Sequence, residues 1–234
     1  MKKYFVYLYI LVFFINIICI IAIWTGNPQD VLRFTKEDGI IENLSVIFYF
    51  LGIICCVIAI SRRKFVRFSF IWLFLCIMFL GEETSWFQRS LNYSVPQIES
   101  INTQTEFNIH NLNFLQGKHL LDEQGHFHFD FRQMLDPQTL FRIGIFVYFL
   151  ILPLTFHIRK LKSLLIRIGY PNPSFLFVLS MWGSIILSFI LALFSDSPTR
   201  SALAETREMF YALFIFLYIF SFALQKRIGV KFQE

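Results

Sequence analysis

Six apolar runs, each divided from the next by a charged segment, constrain this chain more than any single motif does. They fall at about 4–24, 40–60, 65–80, 140–157, 174–194 and 209–224. A bilayer core about 30 Å thick asks for roughly 20 apolar residues of helix. Within it only helices and closed barrels satisfy their own backbone polar groups. The expected fold is therefore all-α, a six-helix polytopic integral membrane bundle. Composition agrees: 56% of residues are hydrophobic, only 16% are charged, and the mean hydropathy is +0.59, well outside the range of an ordinary soluble domain. The first run follows Lys2 and Lys3, but it is longer than a signal-peptide core of about 7–15 residues and no small-residue cleavage pattern follows it. It is read as a retained helix.

The charges between the runs alternate in sign from loop to loop. Lys2 and Lys3 precede the first run. Arg62, Arg63, Lys64 and Arg67 join the second to the third. Arg159, Lys160, Lys162 and Arg167 join the fourth to the fifth, and Lys226, Arg227 and Lys231 follow the sixth. The positive-inside rule puts all of these in the cytoplasm, with both termini, in what is expected to be a bacterial inner membrane. Orientation accounts for the net charge of +5, so the expected partner is the lipid bilayer rather than nucleic acid. Cys19, Cys55, Cys56 and Cys76 all lie inside apolar runs and read as small buried hydrophobes.

Three parts follow: 1–85 with the first three spans, 86–136 outside the membrane, and 137–234 with the last three spans and a cytoplasmic tail. Asp136-Pro137, Asn172-Pro173 and Ser197-Pro198 each set a capping residue before a proline, the signature of a helix start. The last draws Glu205 and Glu208 down towards the membrane. Pro153 predicts a kink in the fourth span. In the external segment Thr103-Gln-Thr-Glu106 is a capping box, predicting a short helix towards Gln116 that stops at Gly117.

Acidic residues collect on the outer side, where charge beside hydrocarbon usually marks a site. The third run is short, which draws Glu82 and Glu83 into the interface. If helix continues through Gly81-Glu-Glu-Thr-Ser-Trp-Phe-Gln-Arg89, then Glu82, Ser85, Trp86 and Arg89 share one face. The bland alternative is an ordinary membrane exit, with Glu82 paired to Arg89 and Trp86 as an interfacial anchor. Glu106 and His110 stand one turn apart on the expected short helix, a spacing that lets a carboxylate and an imidazole bind one metal. Taken alone, that pair is more simply a spent cap and a surface histidine. Asp38 and Glu42 lie where the second run enters the membrane. A helix N-terminus explains Asp38, whereas Glu42 lies deeper and needs a partner, with Arg89 and Arg200 the nearest cations. Glu205 and Glu208 share a face that Arg200 or Arg207 could neutralise. His126, His128 and Asp130 alternate with Phe127, Phe129 and Phe131, which fits a metal-binding strand or, equally, a strand lying on the membrane.

The run GEETSWFQR, followed by Pro96, Asn102, Gln104, Glu106, Asn108, His110 and Asn111 and preceded by Glu37-Asp-Gly, resembles a widespread bacterial family of polytopic membrane proteins. The resemblance covers much of the chain. It implies a shared external site and names no reaction. Glu82-Glu83 is also similar to the paired glutamates of CAAX-type intramembrane endopeptidases. Arg89, however, stands two positions beyond that motif's arginine, and His110 is followed directly by Asn111. Alkaline ceramidase-like hydrolases share an outward acidic and histidine site, but their paired histidines of the last helix are absent here.

The expectation is a polar pocket on the non-cytoplasmic face built from Asp38, Glu42, Glu82, Glu83, Arg89, Glu106 and His110. As an enzyme it would be a metal-assisted hydrolase or transferase acting on a lipid or membrane-anchored substrate. Glu82, Glu106 and His110 would hold a divalent cation such as zinc, Glu83 would be the general base and Arg89 an anion clamp. The alternative is a non-catalytic membrane subunit or lipid-binding module in which the same charges form a structural network.

Overall fold

The computed structural model describes residues 2–35, 39–102, 107–109, 112 and 136–224. Every regular element among them is a helix: α1 (Lys2–Thr25), α2 (Pro28–Thr35), α3 (Ile40–Ser61), α4 (Val66–Glu83), α5 (Gln88–Leu91), α6 (Pro96–Glu99), α7 (Pro137–Thr155), α8 (Arg159–Ile168), α9 (Phe175–Leu193) and α10 (Ser197–Leu224). Five stretches are long and apolar enough to cross a membrane: Lys3–Thr25, one within Gln29–Ser61, Pro137–Thr155, Phe175–Leu193 and Ser197–Leu224. Helix α4 has only 18 residues, three of them charged (Arg67, Glu82 and Glu83), and is not among those five.

The helix ends follow local chemistry. Asp136 caps α7, its Oδ2 accepting from the Thr139 amide at 2.9 Å, with Pro137 in the first turn. Asp196 accepts from the Thr199 amide at 3.0 Å at the start of α10. The Thr199 hydroxyl and amide together hold the Asp196 carboxyl below the usual range. The expected cap at Asn172-Pro173 is displaced. Ser174 caps α9 instead, accepting from the Phe177 amide at 3.2 Å, because a hydroxyl placed just before the first helical residue reaches that donor. Pro153 brings in a π turn at Val147–Ile151, with the Leu152 amide donating to the Val147 carbonyl. The wider turn absorbs the proline that an α-helical ladder would not.

The chain divides into two compact units, Met1–Ile77 with Leu164–Glu234, and Met78–Ser163. In the first, α10 is the central helix. Of its most apolar stretch 67% is buried inside the protein, against 28% for the stretch in α1 and 39% for α9. It packs most extensively on α3, then on α9, α2 and α1. Phenylalanines fill the space with edge-on contacts, Phe177 meeting Phe214 at 5.6 Å and 90° and Tyr9 at 5.4 Å and 77°. Tyr218 packs against Trp72 at 6.0 Å and Phe222 at 5.3 Å, and edge-to-face pairs of this kind gain beyond area burial. The seam between α1 and α9 uses small and polar residues, as helices in lipid do. Asn16 donates to the Ser184 hydroxyl at 3.3 Å, and Ser180 donates to the Tyr9 carbonyl at 3.2 Å.

In the second unit, the end of α4 and the start of α7 meet through Phe79 and Phe141, 5.0 Å apart and edge-on. The helix expected from Thr103 towards Gln116 is not present at 107–109, which are irregular backbone beside an antiparallel bridge between Asn102 and Leu112. The remainder of that stretch falls among residues that are not described. The reason is visible in the donors: the amides of Phe107 and Ile109 donate to the side chains of Gln88 and Glu82, so they are unavailable to a helical ladder.

Candidate functional site

Helix α4 stops at Glu83, and the backbone then reverses hand. Ser85, Trp86 and Phe87 take φ values of 46°, 53° and 64°, with Asn92 at 51°. Single left-handed residues are common, but three successive non-glycine ones are not. Strain of this kind costs about 1–3 kcal/mol per residue and persists only where the surroundings over-determine it. The expected continuous helical face of Glu82, Ser85, Trp86 and Arg89 is therefore overturned, since left-handed backbone breaks the 3.6-residue repeat that would align them.

What holds the reversed turn is a set of directional hydrogen bonds. The Trp86 indole Nε1 donates to Glu82 Oε1 at 2.9 Å, and its ring folds back over Gly81, where a Cβ would lie 2.8 Å from ring carbons. No larger residue fits at position 81 without displacing the indole. Glu82 Oε2 accepts from the Ile109 amide at 2.8 Å. Thus one carboxylate ties the end of α4 to its own turn and to the backbone at Ile109. The Tyr93 hydroxyl donates to the Trp86 carbonyl at 2.8 Å. Phe107 sits edge-on to both rings, 6.2 Å from Trp86 and 6.4 Å from Tyr93.

A second carboxylate organises the next loop. Glu99 Oε1 accepts from the Val95 amide at 2.9 Å and from Gln88 Nε2 at 2.6 Å, and Oε2 accepts from the Ser94 hydroxyl at 2.8 Å. The Val95 amide foremost, then the Ser94 hydroxyl and the Gln88 amide, hold the Glu99 carboxyl below its usual range. Gln88 Oε1 in turn accepts from the Phe107 amide. Asn102, which is buried, donates through Nδ2 to both the backbone carbonyl and the Oδ1 of Asn108, each at 2.8 Å. The whole forms a polar clamp that joins residues 81–102 to 107–109.

The residues expected to form the site are distributed as follows. Glu82 and Glu83, both half-buried, end α4 beside the clamp, and Arg89 lies in α5. Glu42, half-buried, belongs to the first turn of α3 in the other unit. Asp38, Glu106, His110 and the His126-His128-Asp130 run lie outside the described residues. No cluster of three or more His, Cys, Asp or Glu with metal-binding geometry occurs among the described residues. Arg200, one of the two cations expected to face Glu42, donates to the Ala192 and Ser195 carbonyls at the end of α9, where a cation complements the helix dipole. Arg207 is buried against α9. It donates to the Ser188 hydroxyl at 3.3 Å and lies 4.1 Å over the Phe189 ring.

Glu99, Gln88, Tyr93 and Asn108 carry the clamp, yet Gln88 and Asn108 enter the sequence reading only as positions of the motif, and Glu99 and Tyr93 do not enter it. A signal for Glu99 was available: Pro96 opens a short helix, and an acid in its first turn reaches back to the preceding amide. No family model, curated protein or solved structure matches the chain.

Proposed function

We propose that the chain crosses a membrane six times, α4 included, with both termini cytoplasmic, and that the clamped turn at 81–109 is its external working surface. An even number of spans suits the alternation of basic and acidic loops. Helix α4, at about 1.5 Å per residue, is about 27 Å long, close to the thickness of a bilayer core. The turn then emerges at the outer leaflet, with Phe87 exposed at its tip.

In this reading the surface is a non-catalytic recognition module for a lipid headgroup or a membrane-anchored ligand. One observation carries it: both oxygens of Glu82 accept hydrogen bonds from within the protein and hold a strained left-handed turn in place. Strain retained at this cost marks a shape kept for use. A second reading keeps the site catalytic, a zinc-type hydrolase or transferase with Glu82, Glu106 and His110 as ligands, Glu83 as base and Arg89 as clamp. The half-buried Glu83 beside the strained turn favours it, because a carboxylate confined there is placed to accept a proton.

Elemental analysis of purified protein, with Glu82→Gln and Glu83→Gln beside wild type, separates the two. The recognition module expects no stoichiometric metal, with Glu82→Gln loosening the external segment to protease. Stoichiometric zinc that is retained by Glu83→Gln and lost in Glu82→Gln would sink it in favour of the hydrolase.

A further inference from the structure

The segment between α7 and α9 was expected to be a basic loop, yet it folds as helix α8, with a chemical pattern of its own. Ile158, at its start, and Leu161, Leu164, Leu165 and Ile168 fall within roughly a third of the helix circumference. Arg159, Lys160, Lys162 and Arg167 occupy the other side together with Ser163, and Ile166 is the one apolar residue among them. Of the apolar stripe only Leu165 is buried, while the other four are 38–54% exposed. The helix closes on Gly169, at φ 78°, whose amide donates to the Ile166 carbonyl, while the Tyr170 amide donates to Leu165. This pairing is a Schellman closure. Tyr170 is itself buried and edge-on to Phe68 at 5.8 Å, so the C-terminal end of α8 is pinned to the protein while its stripe stays uncovered.

Ten residues of helix extend about 15 Å, half of what a crossing needs, and four cations without an acid do not enter hydrocarbon. Orientation by positive charge requires only a count of Lys and Arg, not their segregation to one side of a helix. Segregation of cations opposite an uncovered apolar stripe is the pattern of a helix lying in the membrane interface.

We propose that α8 is an in-plane anchor: its apolar stripe enters the leaflet, and Arg159, Lys160, Lys162 and Arg167 bind anionic phospholipid headgroups around it. Charge complementarity selects this occupant, since a cationic rim beside apolar side chains matches an acidic headgroup above its acyl chains. The inference rests on the membrane reading of the long helices and is independent of the external clamp.

The test uses the full chain in vesicles of phosphatidylcholine with or without phosphatidylglycerol. A fluorescent unnatural amino acid is placed at 164, at 163 or, as a control, at the exposed position 18 of α1, and bromolipid quenching is read. Position 164 should be quenched and 163 should not. Phosphatidylglycerol retained by the purified protein should fall at least about tenfold when the four cations, each worth about 1 kcal/mol of headgroup attraction, become glutamine. If 18 is quenched and 164 is not, α8 is covered by protein or water and the anchor is refuted while the membrane reading stands. If 18 itself escapes quenching, the membrane reading fails and takes the anchor with it. Quenching at 164 with lipid retention unchanged by charge removal would refute the headgroup assignment.

Discussion

The core around α10 and the clamp after α4 are built on opposite principles. Around α10, Phe177, Phe214, Tyr218 and Phe222 are almost wholly buried and hold one another by shape, with polar atoms confined to a few serine and asparagine contacts. In the clamp the side chains are mostly half-exposed, and two carboxylates and two amides hold backbone that would otherwise relax. The first arrangement tolerates no loss of volume, and the second no loss of an acceptor. The difference predicts that the two regions fail independently and by different routes.

The largest effect is expected in the core. Phe177→Ala removes a ring that touches Tyr9, Phe214 and Tyr218, and large-to-small changes of this kind cost about 3–5 kcal/mol. Reversible unfolding in mixed detergent micelles should show it, while protease sensitivity of the segment after α4 stays at the wild-type level. If that segment also opens, the two regions are one cooperative unit and the contrast collapses. Gly81→Val acts on the clamp by steric means: its Cβ would lie 2.8 Å from the Trp86 ring, and overpacking costs about 1–3 kcal/mol. Here proteolysis in the segment after α4 should rise sharply with little change in global unfolding.

This contrast also explains what could be read from the chain beforehand. Hydropathy and loop charge located the long helices because burial in lipid is a property of composition summed over about 20 residues. Asp136-Pro137 marked the start of α7 because capping is local. The turn at Ser85–Phe87 was missed since nothing in Ser-Trp-Phe favours left-handed backbone; its cause lies in Glu82, Gly81 and Tyr93 acting together. The helix expected from Thr103 is absent at 107–109 for a related reason, as Gln88 and Glu82 take the Phe107 and Ile109 amides. Glu82 is expected from the sequence to be a metal ligand, whereas the hydrogen bonds it accepts from Trp86 Nε1 and the Ile109 amide are visible only in the fold.

A smaller effect separates charge from shape within the clamp. Glu82→Gln keeps the length and volume of the side chain but offers one carbonyl oxygen where two acceptors are used. Its NH₂ must then face either the Trp86 indole N–H or the Ile109 amide, donor against donor. The expected loss is about 1–2 kcal/mol, read as faster proteolysis and a red-shifted Trp86 emission, with Phe177-type global unfolding unaffected. A Glu82→Gln protein indistinguishable from wild type in both readouts would show that the turn is held by Gly81, Tyr93 and Phe107 without the carboxylate.

The smallest expected effect is a pH dependence confined to the clamp. Glu99 accepts three hydrogen bonds, which favour its ionised form and depress its folded value. A depressed carboxylate binds fewer protons folded than unfolded, so its contribution is complete above the ordinary glutamate value of about 4.3. It is lost as pH falls below that value, through the depressed folded one. The side chain is half-exposed, so the change is modest, and it should appear as increased protease access to the segment after α4 only at acid pH. Glu99→Gln should weaken the segment at neutral pH and remove the acid-dependent step, because no proton remains to be taken up at that position. An acid step that survives in Glu99→Gln would assign the titration to another carboxylate and leave Glu99 as a hydrogen-bond acceptor only.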